Sequence, residues 1–472
     1  MRTIIVWFRN DLRIHDHPAL TQAINDAKSI IPVFILSDTI LEGKFSSPNR
    51  NRFLKESLID LKKSFQGKGG DLLILRGGPE EELAKLCKKT SAEAVYYTID
   101  TTPYSLERDK KVSETLRKSS VAFTGFPGIF CVDSFTNIKT GNGDNYKVFT
   151  PFYNKWLSVT RREVLLAPDI ITVPTDMKFG DVPQISQKDD DTLSLDPIVK
   201  GGETFAQELS KAYLNEERGN YEEARNILSE ATSLLSPYLH FGNISPRSIE
   251  ELLLSSKSGD ALRRQLCWRD FYNYVLLHFP KNRNEEFRSE YRELSWSKNK
   301  DHLNAWKKGL TGYPVVDAAM RQLKECGWMH NRARLIVGSF LTKDLAIDWR
   351  EGERHFMKWL LDGDEASNNG NWQWIASVGV DPSPVFQRIF NPSLQQERYD
   401  PDGSYVKKYV PELLKVPVSK LAKTWEMTIE EQIKYGCVIG KDYPAPIIDH
   451  ALGRKATLER FRETSSRFKQ SN

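Results

Sequence analysis

The chain has 472 residues, 39% of them hydrophobic and 28% charged, an ordinary soluble composition with length enough for two or more domains. Its net charge of +4 excludes a strongly acidic protein and permits, without demonstrating, binding to nucleic acid. Cys87, Cys131, Cys267, Cys326 and Cys437 are widely spaced and form no C-x-x-C pair, so neither a disulfide framework nor a zinc site is indicated, a cytoplasmic location is expected, and no apolar run approaches a membrane span.

The opening run 3–8 is too short and too soon broken by Arg9 and Asp11 to be a signal peptide. It reads instead as the first of five short apolar runs, at 3–8, 30–36, 71–75, 94–99 and 121–126, that alternate with helical patterns. Phe53, Leu54, Leu58, Leu61 and Phe65 recur at helical spacing, and Pro79 followed by three glutamates makes a helix start. Such alternation predicts an α/β fold, an N-terminal doubly wound parallel sheet of Rossmann-like type, over residues 1–130. Gly77-Gly78-Pro79 reads as a turn rather than a phosphate loop. Residues 131–202 are expected to be an interdomain linker, helical near Phe152 and rich in Asp, Pro, Ser and Lys from 170 to 202. Residues 203–472 read as an all-helical second domain with tryptophan-rich faces, and no internal repeat is visible.

Three segments of the helical half carry chemistry. In Thr232-Ser233-Leu234-Leu235-Ser236-Pro237, three hydroxyls precede a helical pattern, where side-chain oxygens and free backbone N–H groups cap a helix or hold a diphosphate. Trp328-Met329-His330-Asn331-Arg332-Ala333-Arg334 sets an indole, an amide and two guanidiniums on adjacent helix faces, and Arg334 is expected to pair with Asp362 or Asp364. His330 reads as structural. Asp362 to Trp374 packs carboxylates, amides and two indoles into a few turns, as a pocket for a buried heteroaromatic ring with oxidisable side chains beside it. Eight of the 11 tryptophans fall between Trp268 and Trp374, more than a core of this size requires. No G-x-G-x-x-G, Walker A or Ser/His/Asp order is present.

In order along the chain, Val6-Trp7-Phe8-Arg9-Asn10-Asp11-Leu12-Arg13, Tyr146-Lys147-Val148-Phe149-Thr150-Pro151-Phe152, Thr311-Gly312-Tyr313-Pro314, Asp348-Trp349-Arg350-Glu351-Gly352-Glu353-Arg354 and Arg388-Ile389-Phe390-Asn391-Pro392 resemble the photolyase/cryptochrome family. The likeness runs nearly end to end and is strongest to the class I cyclobutane pyrimidine dimer photolyases. It implies an antenna domain over 1–130 and a helical, FAD-binding and DNA-binding catalytic domain over 203–472, acting as a monomer on damaged DNA and on no membrane.

The resemblance also implies roles. Tyr221, Thr232, Ser233, Leu235 and Ser236 would hold the FAD, the last four at its diphosphate. Trp328, Asn331 and Arg334 would line the pocket, Asp362 and Asp364 would meet the isoalloxazine edge, and Asn368 would place an amide at flavin N5. Trp372, Trp349 and Trp296 would carry electrons in from the surface. Excited FADH⁻ would donate an electron to a pyrimidine dimer flipped out of the duplex, with Trp268 and Trp374 clasping its bases and Arg332 and Arg388 on phosphates. A second chromophore of deazaflavin, folate or flavin type is implied, and Asp100, Pro103 and Tyr104 are similar to deazaflavin-type members. Two departures stand out: Gln265 replaces the glutamate that dimer photolyases direct at the lesion, and Leu335 replaces a methionine. A (6-4) photolyase shares the glutamine, but the second histidine of its W-x-H-H pattern is Asn331 here. A cryptochrome-type photoreceptor is the other alternative.

Overall fold

The structure is a computed structural model describing residues 2–43, 46–185, 198–215, 224–230, 232–254 and 259–471. Five parallel strands, β1 (Thr3–Phe8), β2 (Ser29–Leu36), β3 (Leu73–Arg76), β4 (Ala94–Thr98) and β5 (Ala122–Phe126), form one sheet in the order β3-β2-β1-β4-β5. Each expected apolar run became a strand within a residue or two at its ends. β1 is almost wholly buried, as a central strand covered on both faces must be. Its side chains divide by the period of two: Ile4, Val6 and Phe8 join the core shared with the rest of the molecule, while Ile5 and Trp7 face the helices on the other side.

Pro48–Gln66 begins with Ser47, whose hydroxyl accepts from the Arg50 N–H at 3.4 Å, and with proline in the first turn. That first turn reaches the helical half: the Asn49 amide donates to the Trp359 carbonyl at 2.9 Å, and Arg50 Nη1 to the Leu360 carbonyl at 2.7 Å. At the end of β1 the loop packs on Gly242 (φ 68°), where a Cβ would lie 2.0 Å from the Asn10 carbonyl oxygen, so only glycine allows the approach. Within 131–202, the helix Phe149–Leu157 packs on Gly259–His278, and Trp156 donates to the buried Asp270 carboxylate at 3.0 Å.

Beyond residue 203 every described element is helical apart from isolated bridges. The helices that shape the functional region are Gly259–His278, Asn331–Ser339, Trp349–Trp359, Glu365–Ala376 and the C-terminal His450–Ser471. Among the described residues, no helix is long and apolar enough to cross a membrane. All five cysteines are buried, and none forms a disulfide.

Candidate active site

The helix Glu365–Ala376 starts where Asp364 accepts the Ser367 N–H at 2.7 Å. From it Ser367, Asn368, Asn371, Trp372 and Ile375 project into one cleft, at the spacing that puts side chains on one helix face. Asn331, Arg334 and Leu335 form the facing wall from Asn331–Ser339, with Phe356 and Leu360 closing it. About 570 Å³ of space lies between them, part of it open to solvent.

Charge in the cleft is set by Asp362. Arg334 Nη2 donates to both carboxylate oxygens at 2.8 and 3.2 Å, while Arg334 Nε donates to the Met329 carbonyl at 2.9 Å. Burial pushes the Asp362 carboxyl up, but the Arg334 cation and hydrogen bonds from Arg334 and Ser236 outweigh it, so the group stays below its ordinary range. Burial also pushes the Arg50 guanidinium down to about 10, with Asp362 opposing the shift, and holds His240 down at about 4 against the pull of Asp364. The ion pair expected of Arg334 is thus present and made with Asp362. His330 caps Asn331–Ser339 by accepting the Arg332 N–H at 3.1 Å, and burial pushes it down to about 4, a structural neutral imidazole.

Asn368 is 9% exposed and its amide nitrogen donates to the Glu353 carbonyl at 3.0 Å, which fixes the amide orientation and leaves the oxygen as an acceptor. The neighbouring Asn369 donates to Glu353 Oε1 at 3.0 Å, and burial pushes that carboxyl up to about 7. Thr232 is half-buried, Ser233 and Leu235 are buried, and Leu234 has a φ of 50° just before Ser236–Phe241. Trp328 is buried beside His330 with ring centroids 6.3 Å apart. Tyr221 lies outside the described residues.

The three tryptophans expected to conduct electrons are linked through adjoining backbone. Trp372 lies against Gly352, where a Cβ would come 2.1 Å from the indole, and Trp349 stands one turn earlier on the same helix. Trp349 is fully buried and donates to Glu286 Oε1 at 3.3 Å, with Arg350 4.5 Å over its ring. Two residues before Trp349, Ile347 bridges to Ser297, the neighbour of the partly exposed Trp296, over which Arg460 lies at 4.9 Å. The sequence reading missed Trp306, which is fully buried with its ring 6.1 Å from that of Trp372; a lone indole in Ala305-Trp306-Lys307 offers no signal of that contact.

The rim of the cleft is aromatic. On Gly259–His278, Gln265, Trp268 and Tyr272 follow at helical spacing; Trp268 stacks on Phe149 at 3.6 Å and 2°, and Tyr272 fills the space over Gly370, where a Cβ would be 2.0 Å away. Trp374 is partly exposed and donates to Asp381 Oδ2 at 3.4 Å. Asp381, at φ 54°, also accepts the Phe149 N–H at 3.1 Å, so the two expected clasping indoles share one frame. Arg388 serves differently from the phosphate contact expected of it. It is 3% exposed, lies 3.8 Å over the Trp374 ring and donates to the carbonyls of Trp374 at 2.8 Å and Asp381 at 2.6 Å. A guanidinium spent on carbonyls under a ring is a brace. Arg332 is half-buried over Tyr399 at 4.5 Å and hydrogen-bonded to Asn226. Arg50, His240, Phe356 and Leu360 were also missed, the first because it comes from the α/β half.

The chain as a whole is similar to known proteins. Residues 4–170 match the DNA photolyase family model and residues 262–463 the FAD binding domain of DNA photolyase. A deoxyribodipyrimidine photo-lyase of Streptomyces griseus is 37% identical over 98% of this chain and 99% of its own. Among solved structures, a bacterial class III photolyase from Agrobacterium tumefaciens superimposes with a TM-score of 0.92 at 34% identity, over 99% of this chain and 98% of that one. A Synechocystis cryptochrome superimposes with a TM-score of 0.88 at 30% identity, over 97% and 99%.

Proposed function

From a chain that belongs to the DNA photolyase family, we propose a light-driven DNA-repair lyase that splits cyclobutane pyrimidine dimers, with FAD in the three-helix cleft. The observation that carries this reading is the cleft itself, where a buried Arg334–Asp362 pair and the oriented amide of Asn368 meet an indole that leads away through protein. The donor set suits a flavin: a carboxylate and a guanidinium for the polar edge of the ring, apolar Leu335, Phe356 and Ile375 for its faces, and an amide oxygen free to accept N5–H. When bound and reduced, FAD supplies on illumination the electron that opens the cyclobutane ring and takes it back afterwards.

The residues do the rest. Thr232, Ser233, Leu235 and Ser236 hold the diphosphate and Tyr221 contacts the cofactor; Trp328, Asn331 and Arg334 wall the pocket; Asp362 and Asp364 meet the ring edge. Trp268 and Trp374 stack the extruded bases, each contact worth roughly 1–3 kcal/mol, and Arg388 positions Trp374. Gln265 points a neutral amide at a pyrimidine, a donor at any pH, where a carboxyl donates only when protonated. Arg332 contacts phosphate from the rim. Trp296, Trp349 and Trp372 relay electrons inward, and Tyr272 seated over Gly370 keeps water from the seam between the helices.

The domain boundaries at 130 and 203, a monomeric state and a cytoplasmic site of action belong to the same proposal. So does an antenna chromophore of deazaflavin, folate or flavin type in the α/β domain. The sheet order reverses between β1 and β4, and ligands of such sheets bind outside the carboxyl ends of the strands at that point. There Asn10 donates to Asp100 at 3.5 Å, with Pro103 and Tyr104 opening the next helix.

Purified protein illuminated with oligonucleotides carrying one lesion each tests the reading. Restored dimers and a flavin absorption spectrum are expected; efficient (6-4) repair with no dimer repair, or a pocket holding no FAD, overturns it.

A further inference from the structure

Stacking by itself does not tell a pyrimidine dimer from ordinary bases, because every base has a π-face and two indoles can hold any pair of flipped pyrimidines. What sets the lesion apart is shape: its rings are joined covalently at a fixed separation, whereas two unjoined bases slide and tilt. A clasp that prefers the joined pair therefore needs jaws of fixed separation. Trp268 and Trp374, the indoles assigned to that role, are each only half-buried and stand on different helices, Gly259–His278 and Glu365–Ala376. Their spacing has to be held by something else.

The side chain that reaches both is Asp381. Its Oδ2 accepts the Trp374 indole N–H at 3.4 Å, and its Oδ1 accepts the Phe149 backbone N–H at 3.1 Å. Phe149 is 1% exposed and its ring lies flat on Trp268, with centroids 3.6 Å and planes 2° apart, while Arg264 lies 4.9 Å over the Phe149 ring. One carboxylate thus spends both oxygens on the two jaws, directly on Trp374 and through Phe149 on Trp268. Its backbone repeats the two connections. The Asp381 N–H donates to the Lys147 carbonyl at 2.9 Å, and the Asp381 carbonyl accepts at 2.6 Å from Arg388, whose guanidinium lies over Trp374. The turn that presents Asp381 is anchored as well: the Val378 and Gly379 N–H groups both donate to the Gln373 carbonyl at 3.0 Å, and the Val378 carbonyl accepts the Arg288 N–H at 2.9 Å. Asp381 itself sits at φ 54°, where Asp and Asn are tolerated better than most side chains.

We propose that Asp381 is a positioning residue that sets the gap between Trp268 and Trp374, and so makes the clasp select a covalently joined pyrimidine pair over unjoined bases. The inference rests on the photolyase reading of the cleft. Asp381 acts through the two indoles rather than on the lesion. Loosening its ties leaves both rings in place, so a flipped base still stacks; what is lost is the preorganisation that matches the fixed shape of the dimer. A stacked base is worth roughly 5–150-fold in affinity, and a jaw that is loosened but present forfeits part of that, about tenfold. Undamaged duplex, whose bases stay paired, gains nothing from the clasp and loses nothing with it.

The test measures binding of the full-length holoprotein to a duplex carrying one cyclobutane dimer and to the same duplex undamaged. Asp381→Asn keeps the backbone conformation and one acceptor oxygen but turns an NH2 toward one of the two N–H groups, and dimer affinity is expected to fall about tenfold. Asp381→Gly, which tolerates the same φ and loses both ties, should fall further. Affinity for undamaged duplex and FAD retained through gel filtration should stay within roughly twofold of the parent. The discriminating arm repeats Asp381→Asn in a Trp374→Ala background, where no second jaw remains to be placed; there it should change dimer affinity by less than about twofold. A residue that merely stabilised its own turn would cost the same in either background. The proposal is overturned if Asp381→Asn leaves the ratio of dimer to undamaged affinity within about twofold of the parent, or if its effect is undiminished in the Trp374→Ala background, and Asp381→Asn decides it even where Asp381→Gly loses its FAD. A parent protein with no preference for the dimer would instead remove the photolyase reading, so the two failures are separable.

Discussion

Asp362→Asn probes the cleft most directly, because it removes the charge that neutralises two partly buried guanidiniums while keeping the side-chain shape. At 2.8 Å from Arg334 Nη2, the carboxylate gains about 6 kcal/mol of gross attraction at an effective dielectric of 20. Desolvation of a buried carboxylate returns much of that, and the Arg334 side chain is 25% exposed and partly screened, so a net loss of about 2–3 kcal/mol on substitution is expected. Arg50, which senses Asp362 from the α/β half, loses its counter-charge as well, so the variant should loosen the junction between the halves as well as the cleft. The sign with pH follows from the direction of the shift. The folded carboxyl titrates below its unfolded value, so its stabilisation is complete above about pH 5 and is lost progressively as pH falls from about 4 through the lower folded titration. Urea unfolding of the variant and the parent at pH 7 and pH 3.5 measures this: the difference should be full at pH 7 and smaller at pH 3.5. FAD retained through gel filtration, read by its visible absorption, should drop in parallel. A variant within 0.5 kcal/mol of the parent at both pH values that also keeps its FAD would refute the reasoning.

Trp372→Phe should abolish photoreduction of oxidised FAD while chemically pre-reduced protein still repairs; unchanged photoreduction, read by steady illumination and absorbance, would move the electron route elsewhere, with the Trp306 contact the first place to look. Gln265→Glu should change the quantum yield of dimer splitting without switching the lesion, measured on single-lesion oligonucleotides, and a gain of (6-4) repair would contradict it. Glu353→Gln should stabilise the protein at pH 8 by about 2 kcal/mol and hardly at all at pH 4. Burial raises this carboxyl to about 7 in the fold, so the parent binds an extra proton when folded and loses stability as pH rises from about 4.5 to 7, a loss the amide cannot suffer. Parallel denaturation curves at the two pH values decide it.

The α/β half was legible because a parallel strand buried on both faces must be an unbroken apolar run, and five such runs separated by helical patterns admit few other folds. The Arg334–Asp362 pair was legible for a similar reason: a buried carboxylate needs a cation, and few stood in plausible segments. Arg50 was not, since its place over Gly363 depends on how one half docks on the other, which no local pattern records. Arg388 was misjudged on the same ground. An arginine beside an aromatic loop reads as a phosphate ligand until the carbonyls of Trp374 and Asp381 are seen to take its donors. Trp306 reached Trp372 through the packing of two helices, a contact set by tertiary geometry alone.

The helix Glu365–Ala376 shows why the most telling stretch of the sequence looked least like an ordinary helix. A surface helix has one face to bury and one to wet, and its sequence alternates accordingly. This one has three buried or half-buried faces. Asn368, Asn371, Trp372 and Ile375 turn to the cleft. Asn369 and Gln373 turn to the segment 282–287: Asn369 donates to the Arg283 carbonyl, and the Gln373 amide donates to the carbonyls of Asn282 and Glu285 while its oxygen accepts the Phe287 N–H at 2.9 Å. Trp374, two residues and about 200° from Trp372, turns to the rim, and Gly370 is left bare so that Tyr272 can close over it. Amides predominate because an amide can be buried against carbonyls and N–H groups without carrying a charge inward. Under the proposed function the two indoles serve different ends of the same reaction. Trp372 is enclosed among rings where an electron can be passed, and Trp374 is held by Arg388 and Asp381 at the surface where a base can be stacked.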